Sequence, residues 1–180
     1  DHILTMSVTA VQGKWADFDH RALERVAALP GVQHAAFAWG VPLTGNNWPG
    51  AFEIEGQPTP SRESDRPSLP LRSVTPGYFD LLGLAMLDGR DFRNTDDRDA
   101  PRVAIVNQAF ADRYFPRGAA VGKKLWNDRK QPPIEIIGVA ANARNGDLTQ
   151  AAPPEVYLSL WQASAFSKSL IVRTAADPRS

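Results

Sequence analysis

Apolar residues in this chain come in short runs, each closed within a few positions by proline, glycine or a polar cap, and this punctuation restricts the fold to short elements. None approaches the roughly 18 to 20 residues that a membrane-spanning helix requires. Val103-Ala104-Ile105-Val106 is the sharpest case. Four apolar residues are too few for a helix and fit a buried strand. Asn107 follows as a helix cap, Phe110 and Tyr114 lie one helical turn apart, Ala109, Ala111 and Phe115 add bulk, and Pro116 to Gly118 ends the segment.

The rest of the chain repeats this alternation. Ile3 to Thr9 has the pattern of a strand with one buried face. A helix is predicted next, capped by Asp17 or Asp19, with Ala22, Leu23, Val26 and Ala27 on one side and Pro30-Gly31 as its stop. Val32 to Trp39 completes a strand, helix, strand unit. Val41 to Pro49 reads as a loop and Ala51 to Glu55 as a short strand. Gln57 to Pro70, with four prolines, reads as a long exposed connection. Leu71 to Val74 resumes a strand. Thr75-Pro76 then supplies an N-cap hydroxyl and a proline in the first helical position, and Tyr78, Phe79, Leu81 and Leu82 form a helix that ends at Gly83. Asp88 to Phe92 reads as a turn and Arg93 to Arg98 as a surface loop. Leu125-Trp126, Ile134 to Val139, Val156 to Leu160 and Leu170 to Thr174 are predicted as further strands. Leu71 to Gly83 and Val103 to Gly118 share one plan of strand, polar cap, short helix and glycine. The class is mixed α/β, with elements too short and irregular for a doubly wound nucleotide-binding sheet.

Twenty Lys plus Arg balance twenty Asp plus Glu, so no net field gathers phosphates, and nucleic acid is not an expected partner. With no cysteine there is no disulfide framework, thiolate metal site or thiol nucleophile. No serine stands in a Gly-x-Ser-x-Gly setting, and no Gly-x-x-x-x-Gly-Lys-Ser/Thr loop occurs, so neither a serine hydrolase nor an ATP site is expected here. His2, His20 and His34 are not spaced to share a metal. Asn94 to Asp99 lacks the glycine and the closing glutamate of a calcium loop and reads as a solvated acidic turn. Asp17 with Asp19, and Glu53 with Glu55, are each two apart and read as solvent-facing. Hence no catalytic residue, metal site or cofactor is expected. Among the five tryptophans, Trp39 and Trp126 fall in strand patterns and read as core. Trp48, in a Pro/Gly/Asn loop, and Trp161, just past a strand, are the candidates for contact with a partner.

Val74-Thr75-Pro76-Gly77-Tyr78-Phe79-Asp80-Leu81-Leu82-Gly83, followed by Asp88-Gly89-Arg90-Asp91-Phe92, resembles the MacB-like periplasmic core domain of FtsX-like ABC transporter permeases. Val103 to Asn107, Arg113 to Pro116, Val121 to Leu125, Ile134 to Val139 and Pro154 to Leu158 are similar to its later landmarks. The resemblance implies an α+β fold: a porter-like α/β subdomain from residues 1–90 and 166–180, carrying an inserted second small mixed α/β subdomain over 91–165. It implies a periplasmic domain of a bacterial inner-membrane protein, joined to the transmembrane helices of its own permease. Partners would be a cytoplasmic ABC ATPase, a second permease copy and a periplasmic adaptor. The expected role is transmission of ATP-driven movement to export or to a periplasmic partner. A competing expectation is a small-molecule-binding or sensor domain, with Val41 to Gly50 and Gln57 to Pro70 covering a pocket. The chain starts and stops close to strand-like segments, as a piece of a longer protein would.

Overall fold

The side-chain alternation of one buried strand decides which side of the sheet each helix covers. In the computed structural model, which describes residues 2–9, 15–40, 48–116, 118–143, 151–163 and 167–175, the strands are β1 (His2–Thr9), β2 (Val32–Trp39), β3 (Trp48–Ala51), β4 (Glu53–Ile54), β5 (Ser68–Val74), β6 (Met86–Gly89), β7 (Val103–Asn107), β8 (Lys124–Trp126), β9 (Ile134–Ala140), β10 (Val156–Ser159) and β11 (Ser167–Thr174). The helices are α1 (Trp15–Ala27), α2 (Tyr78–Leu82) and α3 (Gln108–Tyr114). All the strands join one mixed sheet in the order β1-β11-β2-β5-β10-β7-β9-β8-β4, with β3 added to β5 and β6 to β9.

Successive residues of β7 point to opposite faces. Val103 and Ile105 pack with Tyr78, Phe79 and Leu81 of α2 and with Tyr157, Ala36 and Ala38. Ala104 and Val106 pack with Phe110 of α3 and with Val156 and Leu125. At the other end of the sheet, Ala22, Leu23 and Val26 of α1 cover Phe37, Leu170 and Val172. Register ties these faces together. Leu170 pairs with Phe37, Trp39 with Ser73, and Ser73 with Leu158, so α1 lies on the same face as α3. The sheet is therefore covered by two helices on one side and by α2 on the other.

The capped and glycine-terminated helices follow the sequence closely. The Asn107 side chain accepts from the Phe110 N–H at 3.0 Å, and Gly83 ends α2 in the left-handed conformation, φ 69°. Several expectations are corrected by tertiary contacts. The Thr75 hydroxyl does not cap α2: it accepts from the Phe37 N–H at 2.9 Å and so staples β2 to the end of β5, while Asp91 takes the Gly77 N–H at 3.1 Å. Gln57 to Pro70 is not one open connection, because Glu63–Asp65 makes a 3₁₀ turn and Ser68 to Pro70 already belongs to β5, paired with β3. The expected strand from Ala51 to Glu55 is two strands, β3 and β4, which pair with different neighbours. Asp88 and Gly89 close β6 rather than forming a free turn. The helix α1 starts at Trp15, so Asp17 and Asp19 lie within it and not ahead of it. Finally, β1 lacks the expected buried face: it is an edge strand with Ile3, Leu4 and Met6 exposed by 39, 42 and 52%.

Gly89 marks the tightest backbone approach. Its φ is +68°, and a Cβ there would lie 2.1 Å from the Ile137 carbonyl oxygen of β9. Gly31 has φ +82° with open space around it. Gly31→Ala should therefore cost about 1–2 kcal/mol from the left-handed conformation alone. Gly89→Ala should cost roughly twice that or more, because β9 has to move. Urea unfolding of the two variants checks this, and equal losses would show that the contact with β9 is not as close as described.

Candidate functional site

Among the described residues, charged side chains meet in joints that tie distant elements together. The first lies at the middle of the sheet, where β10 runs parallel to β5 and antiparallel to β7. Arg72 and Glu155 form an ion pair with side chains only 2% and 4% exposed. The Tyr157 hydroxyl donates to the second carboxylate oxygen of Glu155 at 2.5 Å. The backbone of Glu155 is held as well: its N–H donates to Asn107 Oδ1 at 2.9 Å, and its carbonyl accepts from the Asn107 N–H at 3.2 Å. The cap of α3 and the joint between β5 and β10 thus share one asparagine. A charge removed from water survives only with a partner and further hydrogen bonds, and here the strand, the pair and the tyrosine supply them. Burial raises the Tyr157 hydroxyl well above its ordinary pKa, and the Glu155 charge pushes it further. Tyr78, fully buried nearby, is also raised by burial, only partly offset by the Arg72 charge. Its hydroxyl has no hydrogen-bond partner among the described residues.

The second joint clamps α1 to the sheet. Lys168 of β11 pairs with Asp19 of α1, both almost fully buried, and the ammonium also lies 5.3 Å from the Phe37 ring centroid. One residue further along α1, His20 stacks on Trp161 with centroids 3.8 Å apart. The third joint sits in the turn after β6. The Arg90 guanidinium donates to both Asp96 oxygens at 2.7 and 2.9 Å, and the Arg93 N–H adds a bond of 2.7 Å. Burial pushes the Asp96 carboxyl up, but these hydrogen bonds and the arginine charges outweigh it and hold the group below its usual range. The Asp96 carbonyl accepts from the Ser159 hydroxyl at 2.8 Å, so this turn is tied to β10 too.

Burial of carboxylates corrects several readings of the sequence. Asp19 is 4% exposed and Asp96 5%, so neither is a solvated carboxylate. Glu53, 7% exposed, accepts from Arg66 at 2.9 Å and Arg129 at 2.6 Å, whereas Glu55 is half-buried beside Lys123. Arg129 in turn lies 4.1 Å from the Trp126 ring centroid, so Trp126 is a half-buried partner of a cation rather than core. Trp39 is half-buried against the α1 cluster.

Of the two tryptophans proposed for partner contact, Trp48 opens β3, paired with Leu71. Trp161 is 4% exposed, and its ring faces His20 of α1. The side chain of Trp48 lies outside the described part of the structure. Residues 41–47, expected to cover a pocket, lie outside the described residues. An apolar hollow of about 520 Å³ lies beyond α3, lined by Tyr114, Phe115, Pro116, Ala119, Val121 and Lys123. Among the described residues no cluster of three or more His, Asp or Glu side chains is placed to hold a metal, and no helix is long and apolar enough to cross a membrane. What the sequence hid was the Arg72–Glu155 and Lys168–Asp19 joints. Their one local signal is a charged residue inside an otherwise strand-like run, at Arg72 between Leu71 and Ser73-Val74, and at Lys168 before Leu170 to Val172.

The profile of the MacB-like periplasmic core domain matches residues 1–180. The chain belongs to this family. Solved structures of similar fold include the periplasmic region of MacB from Actinobacillus actinomycetemcomitans, with a TM-score of 0.62 and 16% identity over 96% of this chain and 75% of that one. The extracellular domain of the noncanonic ABC-type transporter YknZ from Gram-positive bacteria gives 0.59 and 18% identity over 96% and 84%. A domain of a permease protein described as putative, from Porphyromonas gingivalis, gives 0.60 and 16% over 99% and 78%. In sequence, an uncharacterized ABC transporter permease of Bacillus subtilis (strain 168), YvrN, is 29% identical over 66 residues, 37% of this chain. The matched segment spans 16% of that permease's length. The chain is thus a MacB-like periplasmic domain of an ABC-type permease, and its mixed α/β class is the one expected from its sequence.

Two expected outcomes test the central joint of this MacB-like domain. Arg72→Met alone leaves Glu155 buried without its cation and should cost about 3–5 kcal/mol, whereas Arg72→Met with Glu155→Leu should cost less than the single change. Denaturant unfolding decides between them, and a double variant no better than the single would rule out ion pairing as the source of the loss. The tyrosines give a pH signature. Both hydroxyls are raised in the folded state, so neither costs stability by ionising below about pH 10, and stability falls as pH rises above it, where only the unfolded chain ionises. Tyr78→Phe should leave stability at pH 7 unchanged or raised, since it deletes a buried hydroxyl without a described partner. It should also reduce the alkaline slope by about 1.4 kcal/mol per pH unit, one proton's worth. An unchanged slope between pH 10 and 11 would show that Tyr78 ionises as freely folded as unfolded.

Proposed function

We propose that this domain is the moving extracytoplasmic part of its permease, carried by ATP-driven closure of a cytoplasmic ABC ATPase and passing that movement to export or to a periplasmic partner. The observation that supports this most is the continuity of the sheet. A force applied at β1 or β11 reaches α1 through Lys168 and Asp19, and a force on β5 reaches β7 and α3 through Arg72, Glu155 and Asn107. Interiors packed this way transmit displacement rather than absorb it. His2 pairs with Thr174 at one end of the β1–β11 ladder, so membrane segments attached through these strands would stand side by side. The buried carboxylates described above are engaged with cations, which suits a mechanical role.

The division into 1–90 with 166–180 and an inserted 91–165 belongs to this proposal. The place of β11 between β1 and β2 supports a unit made from the chain's beginning and end. A second permease copy and a periplasmic adaptor complete it, with Trp48, and Trp161 once His20 lifts away, as the contact residues. Spin labels test the movement. With Leu87→Cys in each copy of the complete permease, the inter-copy distance should change by several ångströms between the nucleotide-free and ATP-trapped states. A Leu29→Cys, Lys130→Cys pair within one domain should stay fixed, because both positions hang on one sheet. Identical inter-copy distances in the two states would sink transmission, and a change within the domain would place the hinge between the two proposed units.

A further inference from the structure

Apolar side chains gathered at a surface mark a contact site more often than scattered ones do. The chain that leaves α3 and returns to β8 makes such a place. Pro116 and Ala119 are exposed there, and Tyr114, Phe115 and Val121 are half-buried. Together with Lys123 they line the hollow of about 520 Å³, a size within the range of about 300–1,000 Å³ found for small-molecule sites. The aromatic part of the lining is held from behind. The rings of Tyr114 and Phe115 lie 4.7 and 6.3 Å, between centroids, from fully buried Phe110.

A loop also carries main-chain polar groups, which need partners. Around the hollow many of them find one within the domain. The Phe115 N–H donates to the Ala111 carbonyl at 2.8 Å, the Gly118 N–H to the Phe115 carbonyl at 3.1 Å, the Gly122 N–H to the Ile136 carbonyl at 2.8 Å and the Lys123 N–H to the Ala120 carbonyl at 3.1 Å. The Tyr114 carbonyl accepts from the Gln57 side chain at 2.8 Å. An extended peptide gains its affinity through main-chain hydrogen bonds, and these groups are already engaged. A hydrocarbon chain needs no such bonds.

The polar part of the rim is cationic. Lys123 lines the hollow, and the Arg113 guanidinium lies 5.4 Å from the Tyr114 ring centroid. The carboxylate beside Lys123 is Glu55, at 3.8 Å, with the two side chains 44% and 40% exposed. So open a pair holds the lysine weakly. Glu55 also accepts from the Lys124 N–H at 3.0 Å, and Asp112 is turned to the Gln108 side chain at 2.6 Å. An ammonium has three donors, so Lys123 can take a second anion while keeping Glu55. We infer that the hollow binds a fatty-acid carboxylate, its chain against Tyr114, Phe115, Ala119 and Val121 and its head group on Lys123 and Arg113. This ligand site goes beyond the transmission of movement and does not depend on it.

Calorimetric titration of the chain with sodium dodecanoate, kept below its micellar concentration, tests the site. One molecule should bind per chain. It should bind about tenfold or more tightly than dodecyltrimethylammonium, which has the same tail and the opposite charge, because a hydrogen bond to a charged group is worth that much. Shortening the acid to decanoate should weaken binding about fourfold, the loss for two methylenes half covered. Ala119→Trp, at an exposed position, should fill the hollow and abolish binding with the circular dichroism unchanged. Lys123→Glu should remove the preference for the anion and leave dodecyltrimethylammonium binding in place. Absence of saturable binding, equal affinities of the unaltered chain for the two amphiphiles, or binding that Ala119→Trp leaves intact would each overturn the inference. So would a peptide of alternating aspartate and leucine that binds where dodecanoate does not, which would assign the hollow to a protein partner. Failure of dodecanoate to bind leaves transmission untouched, and unchanged label distances in the permease leave the hollow untouched.

Discussion

The burial of Arg72 at the centre of the sheet constrains nearly everything around it. A guanidinium kept from water needs an anion, and the anion comes from Glu155, 83 residues away. Glu155 in turn is fixed through its backbone to Asn107, which also caps α3. The parallel pairing of β5 with β10 therefore rests on a charge pair as well as on its ladder. Parallel ladders are slightly weaker per residue than antiparallel ones, so a specific polar contact at this junction fixes which strands become neighbours. The aromatic cluster of Tyr78, Phe79 and Tyr157 closes over the pair and keeps water from it.

The same logic of a distant partner separates what the sequence reveals from what it conceals. The helix after Asn107 and the helix ended by Gly83 are local events, written in a few adjacent residues, and both form as their sequences suggest. The family resemblance also rests on such local landmarks. By contrast, Asp19 and Glu53 each look like one of two solvated carboxylates spaced two apart, because their cations lie at Lys168 and at Arg66 and Arg129. Nothing near Asp19 in sequence announces Lys168. Thr75 sits where a capping hydroxyl belongs, and the backbone of β2, 38 residues away, claims it instead.

Edge position defeats pattern in a different way. The alternation of Ile3 to Thr9 is that of a half-buried strand, and a strand with neighbours on both sides would have buried it. With β11 on one side alone, Leu4 and Met6 stay open while Val8, beside the Lys168–Asp19 joint, is partly covered. Trp161 shows the converse. A tryptophan just past a strand suggests an exposed ring, yet α1 folds back over it from the start of the chain.

The place of β11 has a consequence for how the domain comes into being. The first and second strands never touch in the ladder order; the last strand fills the slot between them. Until residue 174 has been made and delivered, β1 has no partner, β2 lacks one of its two neighbours, and Asp19 waits for a lysine 149 positions further along. Closing so long a loop is slow compared with forming the local helices. The domain therefore stays incomplete throughout its synthesis and locks only when its final strand arrives.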